Sequence, residues 1–311
     1  MTKAVKAQRT PLTPSQRAAK IRSWISSYIM VLPAIAFLCV FAVYPAFNMV
    51  QLSLYQGSAT KPYKKFLGLG NYDKLLFVKD DFWVAMRNTA VYTAWIVVLL
   101  IFFSVVFANW LFHERKINRL AQSVFFLPHL VAGVSCGFIW GWMMSGMPYG
   151  LFNTVLGWFG ISPIQWLSQR ETAMGGIIAM NTWKSIGYYA LIVLSALKSI
   201  PMEIYEAAEL DSSGPVRTFC KITLPMLTPQ LFFLLITITT GSFKVFDSVR
   251  IMTGGGPGDA TRTISMYIYD YAFQRNNSLG MAAASGVMLM VILMFVTWLD
   301  FGVVEKKVHY Q

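Results

Sequence analysis

Five long stretches of the chain contain no Asp, Glu, Lys or Arg: residues 23–60, 88–112, 120–169, 222–243 and 276–299. An apolar run of about 20 residues is long enough for a helix to cross the hydrocarbon core of a bilayer. With the charges that bound them, these runs predict spans over about 25–48, 84–111, 121–144, 173–198, 225–245 and 281–303. The predicted fold class is therefore all-α integral membrane, with about six transmembrane helices. Pro33 and Pro45 are expected to kink the first span, since proline leaves a helix carbonyl without its partner and neighbouring helices must supply one. A polar segment of about 55–83 follows, with Lys61, Lys64, Lys65, Asp80 and Asp81. Residues 145–171 carry almost no charge, but Gly146, Pro148, Gly150, Gly157, Gly160 and Pro163 predict a loop there, with a short interfacial helix over 151–159. Residues 1–23 read as a basic cytoplasmic tail and 24–311 as one transmembrane domain without an internal repeat.

Composition supports the spans. Hydrophobic residues make up 56% of the chain and charged residues 13%, against about 25% charged in soluble domains. The formal net charge of +12 would suit a nucleic-acid binder, but the basic residues are dispersed between apolar runs and not gathered on one domain. They fit topology signals better, and no nucleic-acid partner is expected. With the amino terminus inside, the inner segments (the tail, 112–120, 198–224 and 302–311) hold 14 Lys/Arg in about 66 residues, against about 11 in roughly 90 outside. Six spans then leave both termini in the cytoplasm. The start (Lys3, Lys6, Arg9, Arg17, Lys20, Arg22) resembles a signal-peptide n-region, but the apolar run after it is too long, so it reads as an uncleaved first helix.

Catalytic and metal chemistry is not evident. Cys39, Cys136 and Cys220 lie far apart without a CxxC, so neither a disulfide framework nor a zinc site is expected. His113-Glu114 lacks the second His of HExxH. The glycines at 254–256 and 258 open no GxxxxGK[S/T] phosphate loop, so this chain is not expected to hydrolyse ATP. No nucleophile–base constellation is readable, and the chain is not expected to be an enzyme.

The segment 201–224, between spans four and five, carries the most information. Pro201 can open a helix, residues 202–211 are good helix formers with Glu203, Glu206 and Glu209 near the start, and Gly214-Pro215 breaks the chain before a second short helix leads to Leu224-Pro225. Ala207 and Ala208 would let another protein's backbone approach, and the glutamates, with Asp211, offer carboxylates to arginines on a partner. A solvated connector would look similar. The segment resembles the signature loop of membrane subunits of ATP-binding-cassette importers: Glu-Ala-Ala, three residues, Gly, nine residues, Ile-x-Leu-Pro. Glu206, Ala207, Ala208, Ile222, Leu224 and Pro225 match at the right spacing, while Ser212 stands where the family has Gly, and Gly214 is the candidate to make the turn instead. The resemblance implies a cytoplasmic coupling helix gripped by a separate ATPase.

The resemblance extends downstream to the carbohydrate-uptake branch of these permeases, which includes the maltose, multiple-sugar and glycerol 3-phosphate systems. It is carried by Phe243 to Asp247, Met252 to Pro257, Thr261, Tyr267 to Tyr269, Ala272-Phe273, Gly280 to Ala284 and the tail Val303 to Val308. It implies a prokaryotic inner-membrane protein working with a second homologous permease subunit, two ATPase subunits that bind ATP and magnesium, and an extracytoplasmic substrate-binding protein. No cofactor is expected in this chain.

Asn181, Thr182, Trp183, Lys184, Ser185, Tyr188 and Tyr189 interrupt the apolar pattern of span four. Lys184 lies fourteen residues before Lys198, about 21 Å along a helix, and is expected in the outer half of the membrane. Such a lysine faces a cavity, a partner or an interface. By resemblance, Asn181, Lys184, Ser185 and Tyr188, with Gly241, Ser242 and Val245 of span five, line the substrate pathway. Gly254, Gly255, Gly256 and Pro257 are candidates for contact with the external receptor. Lys244, Asp247 and Arg250 lie near the outer end of span five; with Lys184, Lys244 could meet an anionic cargo or pair with acids on a companion subunit. The expected function is import of a sugar or oligosaccharide, with glycerol 3-phosphate or another anion as the alternative. An ion-driven carrier would need mid-membrane acids and an internal repeat, and the acids here cluster in loops and at span ends.

Overall fold

The computed structural model describes residues 14–112, 115–211, 213–276 and 278–304. Residues 1–13 of the basic tail, His113-Glu114, Ser212 and the end from Glu305 lie outside them. Among the described residues the regular structure is helical apart from one short hairpin, Tyr55–Gln56 paired antiparallel with Lys65–Phe66. Among the described residues four helices are long and apolar enough to cross a membrane: Arg22–Ser53, Asp80–Leu111, Arg170–Ser199 and Leu279–Gly302. Two bent pairs bring the number to six.

The chain divides into two units, one ending at Gln51 and one beginning at Leu52. The first comprises α1 (Pro14–Leu38), a wider π turn over Cys39–Val43, and most of α2 (Tyr44–Ser53). The helix runs unbroken through residues 23 and 24. Pro33 sits inside α1 without ending it, while the π turn comes just before Pro45. Proline has no N–H for the carbonyl four residues back, and a single wide turn is one way for a helix to absorb that loss.

In the second unit the hairpin leads to α3 (Gly70–Asp73), a π turn over Lys74–Val78 and α4 (Asp80–Leu111). The third span is not one helix. It breaks into α5 (Lys116–Leu130) and α6 (Gly133–Met143), bent by 98°. Val131 and Ala132 are extended at the break (ψ 136° and 137°), three residues beyond Pro128. The expected loop follows, with α7 (Leu151–Trp158) in place. Span four is α8 (Arg170–Ser199). Then come α9 (Met202–Leu210), α10 (Pro215–Thr218), a π turn over Phe219–Thr223 and α11 (Leu224–Met226). Span five, expected over 225–245, is a straight helix only over α12 (Thr228–Ser242), bent by 64° from the segment Pro215–Met226 before it. Pro229 opens α12, where its missing N–H costs nothing. Short helices α13 (Asp247–Met252) and α14 (Ile264–Tyr269) and a π turn over Asp270–Gln274 precede α15 (Leu279–Leu299).

The larger core lies where α4 crosses α8. Tyr92, Ile96, Leu100, Ala108 and Leu111 of α4 are buried at the three- and four-residue spacing of one helix face, against Ile177, Met180, Val193, Leu194 and Leu197 of α8. α5 lies along α8 so closely that a Cβ at Gly187 would overlap the Phe125 carbonyl. A smaller core joins Leu75, Phe82 and Ala85 to Ile264, Tyr267, Tyr271 and Met281.

Buried asparagines fix the loops. Asn71 Nδ2 donates to the Ser53 and Tyr55 carbonyls (2.7 and 2.9 Å). Asn88 Nδ2 donates to Asp259 and Arg262 (2.7 and 3.1 Å). Asn153 binds its loop from both ends of its amide. It donates to Ser145, Met147 and Ile164 carbonyls and accepts from the Ile164 N–H and Trp166 Nε1. An unmet buried polar group costs about 1–3 kcal/mol. Asn153→Ala strands several and is expected to expose the 145–169 loop to limited proteolysis in detergent while α8 stays protected.

Candidate functional site

A cavity of about 360 Å³ opens between α4, α8, the break in span three, α12 and residues 244–248. α8 contributes Met180, Asn181, Lys184, Ser185 and Tyr189; α12 contributes Ile238, Gly241 and Ser242; the chain beyond it contributes Lys244 to Ser248. Six of the seven pathway residues named from the sequence thus share one cavity: Asn181, Lys184, Ser185, Gly241, Ser242 and Val245. Tyr188 does not line it. Its ring turns toward α5 and stacks on His129, with centroids 4.3 Å apart and planes 6° from parallel.

Lys184, expected in the outer half of the membrane, stands at the middle of α8. α8 begins at Arg170, which puts Lys184 fourteen residues from Arg170 and fourteen from Lys198, about 21 Å each way. It is half-buried, and its Nζ donates to the His129 carbonyl at 3.0 Å. Asn181 is oriented by Nδ2 bonds to the Ile177 carbonyl (3.0 Å) and Ser248 Oγ (2.9 Å). Lys244 and Asp247 are exposed at the cavity; Arg250 instead lies over the Tyr269 ring, 5.1 Å from its centroid. The wall from α4, built of Tyr92, Ile96 and Leu100, was not foreseen. In the sequence these positions look like any apolar helix face, and a lone tyrosine among them is the one available signal.

The segment between spans four and five presents one exposed and one packed side of α9. Glu203, Glu206, Ala207, Glu209 and Leu210 are exposed, and Leu210 is 87% exposed. Ile204 and Tyr205 pack against the main core, and Ala208 is buried at 6%. Only Ala207 of the two alanines is therefore available to another chain. Met202 of the same helix is also exposed, so the surface is mixed apolar and acidic, which the reading of its charges alone missed. Asp211 and Gly214 are exposed, and Ile222, Leu224 and Pro225 are half-buried where the segment turns into span five. Gly214 has φ −66° and ψ 156°, a conformation open to any residue, so it is not a glycine-only turn.

Beyond span five, Gly254 and Gly255 have φ of +61° and +90°, which only glycine adopts without strain. Gly254 is exposed and Gly256 and Pro257 half-buried, but Gly255 is buried, so it offers no receptor contact. Arg170 Nη2 donates to the Gly258 carbonyl (3.0 Å). A polar cluster ties this region to the start of α4. Lys79 Nζ donates to Tyr271 Oη (2.9 Å), which donates to Asp81 Oδ2 (3.0 Å). Arg262 bridges Asp259 (3.0 Å) and Asp270 (3.2 Å). Burial pushes the Asp270 carboxyl above the usual carboxylate range, against the opposing pull of Arg262, Arg275 and Arg250.

Residues 12–309 match the family described as "Binding-protein-dependent transport system inner membrane component". The trehalose/maltose transport system permease protein MalF of Thermococcus litoralis is 32% identical over 289 residues, covering 93% of this chain and 95% of that protein. The probable ABC transporter permease protein YurN of Bacillus subtilis is 34% identical, covering 86% and 92%. The sn-glycerol-3-phosphate transport system permease protein UgpA of Yersinia pestis is 32% identical, covering 93% and 97%. Among solved structures, a chain of a bacterial alginate ABC transporter in complex with an alginate pentasaccharide-bound periplasmic protein has the same fold, with a TM-score of 0.79 at 23% identity, covering 90% of this chain and 93% of that one.

Proposed function

The chain belongs to the family of binding-protein-dependent transport system inner membrane components, and on that premise we propose that its cavity between α4, α8 and α12 passes a sugar or oligosaccharide. The observation that carries this reading is the composition of the wall: the Asn181 amide, the Ser185 hydroxyl and the tyrosines Tyr92 and Tyr189 meet around one space. Sugars are bound by hydroxyl and amide groups beside aromatic faces, and here those groups come from α4 and α8 together. Import systems for trehalose/maltose and arabinooligosaccharides supply relatives of this chain, which favours the same cargo class.

Energy comes from elsewhere. The sequence has no phosphate loop, so ATP and magnesium bind two ATPase subunits, and α9 is the coupling helix that couples their closure to spans four and five. Six spans make half of a translocation path, so a second homologous permease completes it. An external binding protein delivers cargo at the face formed by Gly254, Gly256 and Pro257. In this arrangement α9 and both termini face the cytoplasm, and a reporter fused after Arg115 is expected to register there. A second reading is favoured by one observation: Lys244 is exposed at the cavity with no ion pair among the described residues, so an anionic cargo such as glycerol 3-phosphate has a cation to meet.

The test is reconstitution of the four-part complex in vesicles with candidate binding proteins. ATP-dependent uptake that requires the binding protein is the expected result. Solute movement by this chain alone would overturn the reading.

A further inference from the structure

We propose that Lys184 and Asp247 are positioning residues that clamp the two ends of the broken third span, and that Lys184 is not a cargo contact. The break leaves α5 ending at Leu130 and α6 starting at Gly133. The last carbonyls of a helix have no partner within it, and its end carries a partial negative charge; the start of the next helix carries a partial positive one. Backbone that leaves a helix at membrane depth must find its partners in protein or in a water-filled cavity. The His129 carbonyl would ordinarily accept from the N–H of residue 133, but the extended Val131 and Ala132 carry that N–H away. Lys184 Nζ takes its place at 3.0 Å. At the other side of the break, Asp247 lies against the first residue of α6: a Cβ added at Gly133 would sit 3.5 Å from Asp247 Oδ2.

Each end of the break thus meets a side chain of the opposite sign. The cation comes from α8 and the anion from the chain just beyond α12. The clamp lies in the cavity wall, since Gly133, Lys184 and Asp247 all line it. Two neighbouring contacts hold α5 in register with α8: the Gly187 backbone meets the Phe125 carbonyl, and His129 stacks on Tyr188. A lysine within span four is therefore explained by the backbone it serves. The consequence for transport rests on the reading of the cavity as a cargo path, but the clamp itself does not.

The test places nitroxide labels at Val124 and Ile139, one on each side of the break and both exposed, with Cys39 and Cys220 replaced by serine. The distance between them is measured in the assembled complex. Lys184→Met and Asp247→Asn are each expected to broaden the distribution, and Lys184→Arg, which keeps a donor and a charge, to restore it. In uptake assays, Lys184→Met should lower the maximal ATP-dependent rate about tenfold, the scale of one charge-assisted bond, while the concentration of binding protein at half-maximal rate changes less than about twofold. An unchanged distance distribution in both variants would overturn the proposal. So would a Lys184→Met transporter with its full maximal rate. The distance measurement needs neither cargo nor ATP, so it decides the clamp even where the transport reading fails.

Discussion

Gly187→Leu is expected to leave almost no folded subunit in the membrane, and Gly187→Ala to lower its melting midpoint in detergent. Gly187 is buried in the middle of α8, facing α5. An added Cβ would overlap the Phe125 carbonyl and lie 2.9 Å from the Phe126 backbone nitrogen. Both obstacles are backbone, so no rotamer change relieves the clash; the helices must separate. Membrane helices associate through close packing at small residues, because lipid tails are as apolar as the side chains they would bury. Overpacking of this kind costs about 1–3 kcal/mol for one methyl, and more for a branched side chain. Separation would also pull His129 away from Lys184 and Tyr188, so the loss extends to the break in span three. The control is on the same helix: a Cβ at Gly175 meets nothing within 4 Å, and Gly175→Leu should express and melt like the parent. Size-exclusion profiles and thermal melts of the two variants decide it. If Gly187→Leu matches Gly175→Leu, α5 and α8 do not approach as described.

The contrast between those two glycines shows what the sequence makes legible. Spans were readable because crossing a bilayer needs only length and apolarity, which single residues declare. Breaks were not. Val131 and Ala132 carry no turn chemistry, and the span reads as continuous although its two halves meet at 98°. Pro128 and Gly133 flank the break, yet Pro33 stands inside α1 without ending it, so proline alone does not separate the cases. At the cavity, the α8 residues stood out because an amide and an ammonium interrupt an apolar run. The α4 wall stayed hidden because Tyr92, Ile96 and Leu100 have the spacing of any packed face. The two sides of α9 were within reach: Ile204 and Ala208 are one turn apart, opposite Glu203 and Glu206, and that periodicity already marks Ala208 as an inward residue. The roles of Asn71, Asn88 and Asn153 were out of reach, because their partners are carbonyls of loops whose paths depend on the fold.

Glu206→Lys is expected to reduce ATP-dependent uptake to background while the subunit reaches the membrane in normal amount. The two halves of that expectation have separate causes. Glu206 is exposed and the inward side of α9 is made by Ile204, Tyr205 and Ala208, so a lysine at 206 disturbs no packing within the chain. Toward a partner the change is large. Glu203, Glu206 and Glu209 with Leu210 form one acidic, partly apolar face, and a subunit that grips it must present cations around an apolar hollow. Reversing the central charge places like charges together in a desolvated interface, which costs several kcal/mol, or at least a hundredfold in affinity. Glu206→Gln removes an attraction without adding a repulsion and should retain part of the rate. Leu210→Asp should fail like Glu206→Lys, because it puts a charge where the hollow needs an apolar side chain. Co-purification of the ATPase subunits with each variant, beside uptake in vesicles, separates failed docking from failed transport. Normal uptake by Glu206→Lys, with the ATPase still bound, would remove α9 from the path by which ATP hydrolysis moves the spans.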